Sequence, residues 1–159
     1  GKQKAWKVLS NNTKSKEALE ILGNEVDPTD EIYEMLMEYV CALCVHKDTT
    51  SVNEVRYSMF QLGNFSDECL PPTEDCLKKH IQRANHQAYI WKRSLVAFIV
   101  PPSPVGNGWE LKDDELTIQW MTSYVAPDQL LEFVNCGCKK GCKTQRCSCL
   151  KAGLRCRAV

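Results

Sequence analysis

The chain has 159 residues, of which 43% are hydrophobic and 25% are charged, and its 20 basic and 20 acidic groups leave no net charge. This composition is typical of a globular protein long enough to bury a core, and it excludes a chain that is disordered throughout. No apolar run approaches the about 18 residues of a membrane-spanning helix, so we expect no membrane association.

The N-terminal part of the chain is predicted to be mainly helical. Short helices over 5–9 and 15–22 precede a longer helix that starts around 27–30, where proline and acidic residues favour a helix N-terminus. Apolar residues then recur at helical spacing in a broad stripe that we expect to face the core: Ile32, Tyr33, Leu36, Tyr39, Val40, Leu43 and Cys44. A fourth helix is predicted over 51–62, because a Gly-Asn pair follows it.

The longest predicted helix begins at Thr73 and continues to the proline-rich segment 101–104, which cannot extend a helix. Apolar residues recur along it at steps of three and four and predict one continuous buried face: Leu77, Ile81, Ala84, Ala88, Trp91 and Leu95. Four basic residues of this helix allow two interpretations, an extended basic surface or a solvated helix face: Lys79, Arg83, Lys92 and Arg93.

Beyond the prolines the hydrophobic period changes from helical to alternating, which is typical of β-strands. Trp109 and Leu111 alternate with polar residues, and the alternation resumes at Leu116 after an acidic turn. We therefore predict a β-hairpin, whose turn explains the carboxylates of 113–115 better than a magnesium site does. A short helix is predicted over 127–134.

The C-terminal region differs from the rest of the chain in charge and in cysteine content. Residues 136–159, the tail, contain six of the ten cysteines and seven basic residues but no acidic residue, whereas 1–135 carry 13 basic and 20 acidic groups. A basic tail on an acidic body is typical of a protein that meets an anion. The fold class is predicted to be mainly α, with a helical region 1–100, a proline-rich loop, β-hairpin and short helix in 101–135, and a separate tail.

The tail cysteines follow the spacing C-x-C-x3-C-x4-C-x-C-x6-C: Cys136, Cys138, Cys142, Cys147, Cys149 and Cys156. Only Leu150 and Leu154 are sizeable apolar residues here, so hydrophobic burial cannot order the tail and crosslinks must. Disulfide bonds would need an oxidising compartment, and the alternative is zinc bound by thiolates. Zinc is favoured, because each C-x-C step places two sulfurs on one side of an extended backbone and interleaved cations lower thiol pKa values. We expect a compact zinc-stabilised module.

The number of sulfurs limits the number of zinc ions. Two tetrahedral zinc ions that share two bridging thiolates use six sulfurs, which matches the tail. Three zinc ions in a ring with three bridges use nine sulfurs, so a third zinc would need ligands from elsewhere.

Four cysteines lie outside the tail: Cys41, Cys44, Cys69 and Cys76. Cys41 and Cys44 form a C-x-x-C pair within a periodic helix, where core packing is favoured over zinc binding with the other two or over redox activity. His80 and His86 fall on different faces of the longest helix, so a joint metal site is not expected.

The tail cysteines, the Lys139–Lys140 pair and the step from Ser148 to Lys151 resemble the tesmin-like CXC family, the cysteine-rich zinc domains of nuclear proteins. In that family nine cysteines form a three-zinc cluster that binds DNA. The resemblance therefore implies zinc, a nuclear location and DNA as the partner. The last three cysteines of the family pattern are missing because the sequence ends at Val159, which we interpret as truncation.

One departure from the family concerns how DNA would be contacted. Tandem members carry a tyrosine just before the fourth cysteine and insert it into the minor groove, whereas this chain has a single CXC unit and Arg146 at that position. An arginine can enter a narrow minor groove but conveys less sequence information. The predicted nucleic-acid-binding residues are the cations of the tail: Lys139, Lys140, Lys143, Arg146, Lys151 and Arg155. The alternative is a structural or protein-interaction module, in which the zinc knot binds an acidic partner or the acidic body.

The rest of the chain resembles long uncharacterised invertebrate proteins of mobile-element character, over the runs 1–7, 70–93 and 102–109. In those proteins a PIN-like, flap-endonuclease-like domain precedes this region and a CXC unit follows it. The resemblance implies a C-terminal portion without the nuclease carboxylates. The start at Gly1, without a Met, agrees with a fragment, and the lack of an apolar leader predicts that a signal peptide is absent or already removed.

Catalytic motifs are not recognisable in the sequence. It contains no Ser-His-Asp order, no nucleophile elbow and no phosphate-binding glycine loop. We therefore expect a non-enzymatic protein of the reducing interior of the cell, in the nucleus, that binds zinc and nucleic acid and no small-molecule substrate.

Overall fold

The computed structural model describes residues 1–44, 49–62 and 69–123. These ranges contain five helices and two strands: α1 Lys2–Ser10, α2 Thr13–Ile21, α3 Asp30–Leu43, α4 Val52–Leu62, α5 Glu74–Lys92, β1 Trp109–Lys112 and β2 Glu115–Ile118. The chain divides into two units after Thr122, and every described residue except Ser123 belongs to the first unit. The described part is therefore mainly helical with a small β-hairpin, as predicted. The helix predicted over 127–134 lies outside the described residues.

Three of the helices begin at a residue whose side chain caps the helix. Asn12 precedes α2, Thr29 precedes α3 and Thr73 precedes α5, and each side chain accepts a hydrogen bond from the backbone N–H three residues further on. These contacts satisfy donors that the first turn of a helix leaves unpaired. Acidic residues in the first turns of α3 and α5 interact favourably with the helix macrodipole. The predicted starts of α3 and α5 are thus confirmed.

The core is organised around α3, which contacts each of the helices α1, α2, α4 and α5. The buried hydrophobic residues of the core come from α2, α3, α4 and α5 and the turn after α2: Ala18, Leu22, Ile32, Met35, Leu36, Met37, Cys41, Val52, Val55, Met59, Leu77 and Ile81. The predicted stripe of α3 is confirmed at Ile32 and Leu36, whereas Tyr39 and Leu43 are only half-buried.

Helix α1 packs on this core without burying any residue completely. Its apolar residues Ala5, Val8 and Leu9 are half-buried. The Tyr39 hydroxyl on α3 donates a hydrogen bond to the Ala5 carbonyl at 3.1 Å. Helix α1 is therefore held to the body by one face, and the opposite face is left to solvent.

Helix α5 ends earlier than the proline-rich segment predicts. Its last helical residue is Lys92, and two of the apolar residues that follow are almost fully accessible, with Leu95 98% and Phe98 95% exposed. The predicted buried face is correct for Leu77 and Ile81 and wrong for Leu95 and for Trp91, which is 69% exposed. The physical reason is that polar contacts with the loop between α2 and α3 occupy the end of α5.

The β-hairpin is built as predicted. Strands β1 and β2 pair antiparallel, with Trp109 opposite Ile118 and Lys112 opposite Glu115. The two turn residues, Asp113 and Asp114, have positive φ angles of 51° and 62°. Two consecutive residues of this conformation form the tight turn that matches the twist of the strands, and aspartate tolerates it better than most residues.

Candidate metal and nucleic-acid sites

All the predicted tail site residues lie outside the described residues. This holds for the six predicted zinc ligands in 136–156 and for the six predicted nucleic-acid-binding cations in 139–155. Their roles therefore stay predictions from the sequence. The described residues do include the candidates that the sequence favoured less: the four cysteines of the body, the two histidines of α5 and the acidic residues of 113–115.

The Cys41–Cys44 pair lies at the end of α3 and faces the core. Cys41 is 1% exposed, and Cys44 is partly buried against the same cluster. Burial raises the pKa of both thiols, and the neighbouring Cys44 raises the pKa of Cys41 further. A raised thiol pKa disfavours the thiolate that metal binding and redox chemistry both require. The core-packing interpretation of Cys41 is confirmed by this burial.

Among the described residues of the body, the remaining candidate metal ligands do not converge. Cys69 is exposed and Cys76 is half-buried at the start of α5. No group of three or more His, Cys, Asp or Glu side chains that could hold a metal ion occurs within the ranges 1–44, 49–62 and 69–123. Asp113 and Asp114 form the hairpin turn, and Glu115 is the first residue of β2.

The two histidines of α5 have different surroundings, as expected. His80 is exposed, whereas His86 is 7% exposed and its Nε2 lies 3.0 Å from the carbonyl oxygen of Pro102. The His86 ring also meets Trp109 edge to face, with 5.2 Å between the ring centroids. His86 therefore attaches the proline-rich segment and the first strand to α5.

Arg83 attaches the hairpin to α5 at a second point. Its Nη1 donates hydrogen bonds to the carbonyl oxygens of Gly108 and Gln119, both at 3.0 Å. The guanidinium carbon lies 5.6 Å from the ring centroid of Trp120, within the range of a cation–π interaction. Burial lowers the pKa of Arg83, but an arginine stays charged in proteins. The charged guanidinium is thus engaged in contacts within the body.

The cations at the end of α5 bind the loop between α2 and α3. Arg93 donates from Nη1 to the Gly23 carbonyl at 3.0 Å and from Nη2 to the Asn24 carbonyl at 2.8 Å. Lys92 donates from Nζ to Oδ1 of Asn24 at 2.7 Å. Basic side chains near a helix C-terminus commonly satisfy free carbonyl groups in this way.

For three of the four cations predicted on the longest helix, neither interpretation is correct. Arg83, Lys92 and Arg93 form neither a free basic surface nor a merely solvated face, because each donates hydrogen bonds to carbonyl or amide oxygens of other elements. Lys79 is half-buried. The partners are 25 or more residues away in sequence, so no local pattern revealed them.

Asn85 is a buried polar residue that the sequence did not single out. It is 1% exposed; its Oδ1 accepts from the Gly23 N–H at 2.7 Å, and its Nδ2 donates to the carbonyls of Glu25 and Val26 at 3.0 and 2.8 Å. Gly23 has a φ of 80°, and a Cβ there would lie 2.5 Å from the backbone carbon of Ala88. The loop between α2 and α3 is therefore docked directly on α5. An asparagine in the middle of a helix is the one sequence signal of this role.

A second basic region, distinct in sequence from the tail, lies at the start of the chain. Residues 1–16 contain no acidic residue and five lysines, all of them exposed: Lys2, Lys4, Lys7, Lys14 and Lys16. Among these, only Lys14 forms an ion pair with another described residue, Glu38 at 3.4 Å. Trp6 projects from the same segment and is 71% exposed. The predicted binding residues did not include this region, although its lysine spacing and lack of acids are visible in the sequence.

Neither a membrane span nor an enclosed ligand site emerges from the described part of the body. Among the described helices, none combines the length and the apolar character needed to cross a bilayer. An open groove of about 200 Å³ is lined by Asn53, Arg56, Tyr57, Phe60 and Leu70. Small-molecule pockets usually have about 300–1,000 Å³ and enclose most of their ligand. The groove therefore offers no basis for a small-molecule site.

Comparisons of the chain with protein-family models, with curated proteins and with solved structures found no match. The resemblance of the tail to the tesmin-like CXC family therefore rests on the cysteine spacing. The resemblance of the body to proteins with a PIN-like domain likewise stays a prediction.

Proposed function

We propose that this chain is a zinc-binding protein whose tail, residues 136–159, binds nucleic acid, with DNA as the preferred partner. The observation that carries the proposal is the tail sequence itself, which contains six cysteines in CXC register and no acidic residue, and in which six of the seven cations lie between cysteines. The proposed role is one of binding, and it assigns no catalytic residue.

Zinc is the crosslink that fits the tail best. Six sulfurs complete two tetrahedral sites that share two bridging thiolates. Flanking lysines and arginines lower thiol pKa values and offset the thiolate charge. A tail with two sizeable apolar residues acquires its folding free energy from metal binding rather than from burial. The proposal therefore assigns the protein to a reducing compartment, and DNA as the partner makes that compartment the nucleus.

The cations of the tail supply the contact with nucleic acid. Six thiolates and two zinc ions together reduce the positive charge of the tail to about +5. That charge can neutralise several phosphates, and each contact makes log K fall by about 0.9 per log unit of salt on duplex DNA. Arg146 is the candidate for a narrow minor groove, so binding should depend on groove shape more than on base edges.

The test measures binding of the full chain to a labelled duplex by fluorescence anisotropy over a range of salt concentrations. The triple variant K139E/K140E/R146E should weaken binding by more than about tenfold and should flatten the salt dependence. Charge reversal of an exposed body lysine, K112E, serves as the control and should change neither quantity. Lys112 is exposed and lies on the hairpin.

The zinc half of the proposal has its own control. The variant C138S/C149S should lose zinc and DNA binding together, whereas C69S, at an exposed cysteine of the body, should keep both. If the tail binds an acidic protein instead of DNA, the chain will still bind zinc. Its affinity for the duplex will then change neither in K139E/K140E/R146E nor with the salt concentration. That result would contradict the nucleic-acid half of the proposal.

A further inference from the structure

We propose that α1 and the first turn of α2 form a second nucleic-acid-binding surface, which takes single-stranded nucleic acid. In this surface, named the α1 surface, Lys2, Lys4, Lys7 and Lys16 contact phosphates, and Trp6 stacks on an unpaired base. The inference adds a partner contact to the proposed function but depends only on residues of the body.

The charge of the α1 surface has no partner within the described body. Its four lysines are exposed, residues 1–16 contain no acid, and none of the four forms an ion pair with another described residue. Lys2 and Lys4 also lie in the first turn of α1, where a cation interacts unfavourably with the macrodipole. Lys7 lies in the last turn of α1, where a cation interacts favourably with the macrodipole. The charges of Lys2 and Lys4 thus do not stabilise the helix, and phosphates are complementary to all four lysines.

Trp6 provides the second component of a single-strand site. Lys2 lies four residues before it and therefore one turn away on the same side of α1. Helix α1 is fixed to the body by half-buried Val8 and Leu9 and by the Tyr39 hydrogen bond. The indole is thus a 71% exposed flat surface on a rigid support, with the cation of Lys2 beside it. Aromatic platforms beside a basic track are the usual means of holding single strands.

Two other partners fit the α1 surface less well. A helix that lies on an anionic membrane needs a broad apolar face toward the lipid, but the apolar face of α1 is already packed on the body. An acidic protein would have to offer an apolar pocket for the indole in addition to carboxylates for the lysines. Duplex DNA would leave the indole without a partner, because duplex bases are already stacked on one another.

The experiment uses the full chain and a labelled oligothymidine of about 20 nucleotides, longer than the about 4–16 nucleotides that one single-strand-binding fold covers. The variant K2A/K4A/K7A should reduce the salt slope by about 2, because each phosphate contact to a single strand contributes about 0.7. Alanine favours the helix, so α1 should persist in this variant, and circular dichroism checks that it does.

Substitution of the tryptophan separates stacking from charge. W6A should weaken oligothymidine binding by about fivefold or more, whereas W6F should keep most of the affinity because it keeps an aromatic ring. W91A removes another tryptophan that is 69% exposed but lies on α5, and it should leave the affinity unchanged. W6A should have little effect on binding of the duplex.

Several results would overturn the inference. Unchanged oligothymidine affinity and salt slope in both W6A and K2A/K4A/K7A would do so, as would an equal loss in W91A. Binding to phosphatidylserine vesicles that is lost in W6A, with no effect on oligothymidine, would assign the surface to membranes instead. Failure of the tail proposal is distinguishable, because K139E/K140E/R146E would then leave duplex binding unchanged while the α1 variants still weaken single-strand binding.

Discussion

The body and the tail of this chain differ in what can hold each of them together. The described part of the body buries twelve hydrophobic residues around α3, and hydrogen bonds from α5 and from Arg93 after it hold the loop between α2 and α3. The tail has two sizeable apolar residues in 24 and six cysteines. The hydrophobic pattern therefore predicts the fold of the body, whereas cysteine spacing and charge are the guides to the tail.

Cysteine itself has opposite surroundings in the two regions. Cys41 is 1% exposed in an apolar cluster, where burial raises its pKa and keeps the thiol protonated. The tail cysteines are interleaved with lysine and arginine, which favour the thiolate. The same residue type is therefore a core residue in the body and, by our proposal, a metal ligand in the tail.

The largest expected effect in the body is at Gly23, where the loop between α2 and α3 touches α5. G23A should cost about 3–5 kcal/mol of unfolding free energy, because its Cβ would lie 2.5 Å from Ala88 and the residue keeps a positive φ. G106A is the matched control, since Gly106 has a φ of 90° but an added Cβ there would meet no described atom within 4 Å. This control should cost about 1–2 kcal/mol. Urea unfolding measures both, and equal losses would contradict the close packing.

The second largest loss of stability is expected at Asn85, a buried side chain that both accepts and donates hydrogen bonds. N85D should cost about 3 kcal/mol, because a carboxylate cannot donate to the carbonyls of Glu25 and Val26. Q87E makes the same amide-to-carboxylate change two residues away at an exposed position and should stay within about 0.5 kcal/mol. Thermal unfolding distinguishes the two. A loss at Gln87 as large as at Asn85 would mean that added charge, rather than lost hydrogen bonds, destabilises the body.

A smaller effect tests the pKa of the buried thiol. A raised folded-state pKa means that the stabilisation from Cys41 is complete below the unfolded pKa of about 8.5 and is lost as pH rises above it. C41A should cost about 1 kcal/mol at neutral pH and should show a shallower loss of stability in alkali than the unsubstituted chain. Urea unfolding at neutral and alkaline pH checks this. The control C69A should leave the alkaline loss unchanged, and an identical pH profile in C41A would contradict the assignment.

The smallest effect concerns a buried hydroxyl. Ser15 is 0% exposed, and its Oγ has no hydrogen-bond partner among the described residues. S15A should therefore leave stability unchanged or raise it by up to about 1 kcal/mol, since it removes an unsatisfied polar atom and favours the helix. The exposed position Ser10 is the control, at which S10A should raise stability only through helix propensity. A clear loss in S15A would show that the hydroxyl is satisfied after all.

Local signals in the sequence predicted most of the secondary structure of the body. The capping residues Thr29 and Thr73, the helical stripe of α3 and the acidic turn of the hairpin each act within a few residues, so each leaves a readable pattern. The end of α5 and the roles of its cations were not predicted. They depend on contacts such as Asn85 with Gly23, 62 residues apart, which no periodicity encodes.

For the candidate sites too, local patterns could be read from the sequence, whereas surroundings set by distant residues could not. The zinc site of the tail was proposed from the cysteine spacing, because a metal site built from one short segment carries its ligands in the local sequence. The α1 surface is also visible as lysines without acids, but the exposure of Trp6 had to come from the structure. From the sequence alone, Trp6 is as consistent with the core as with a binding surface.

The proposal that the tail cysteines bind zinc has a direct test in native mass spectrometry of the purified chain, before and after treatment with a chelator. We predict two zinc ions per chain with all six tail cysteines unoxidised, loss of both ions in chelator, and an unfolding transition of the body that the chelator does not shift. A metal-free chain whose tail sulfurs are paired as disulfides would contradict the account.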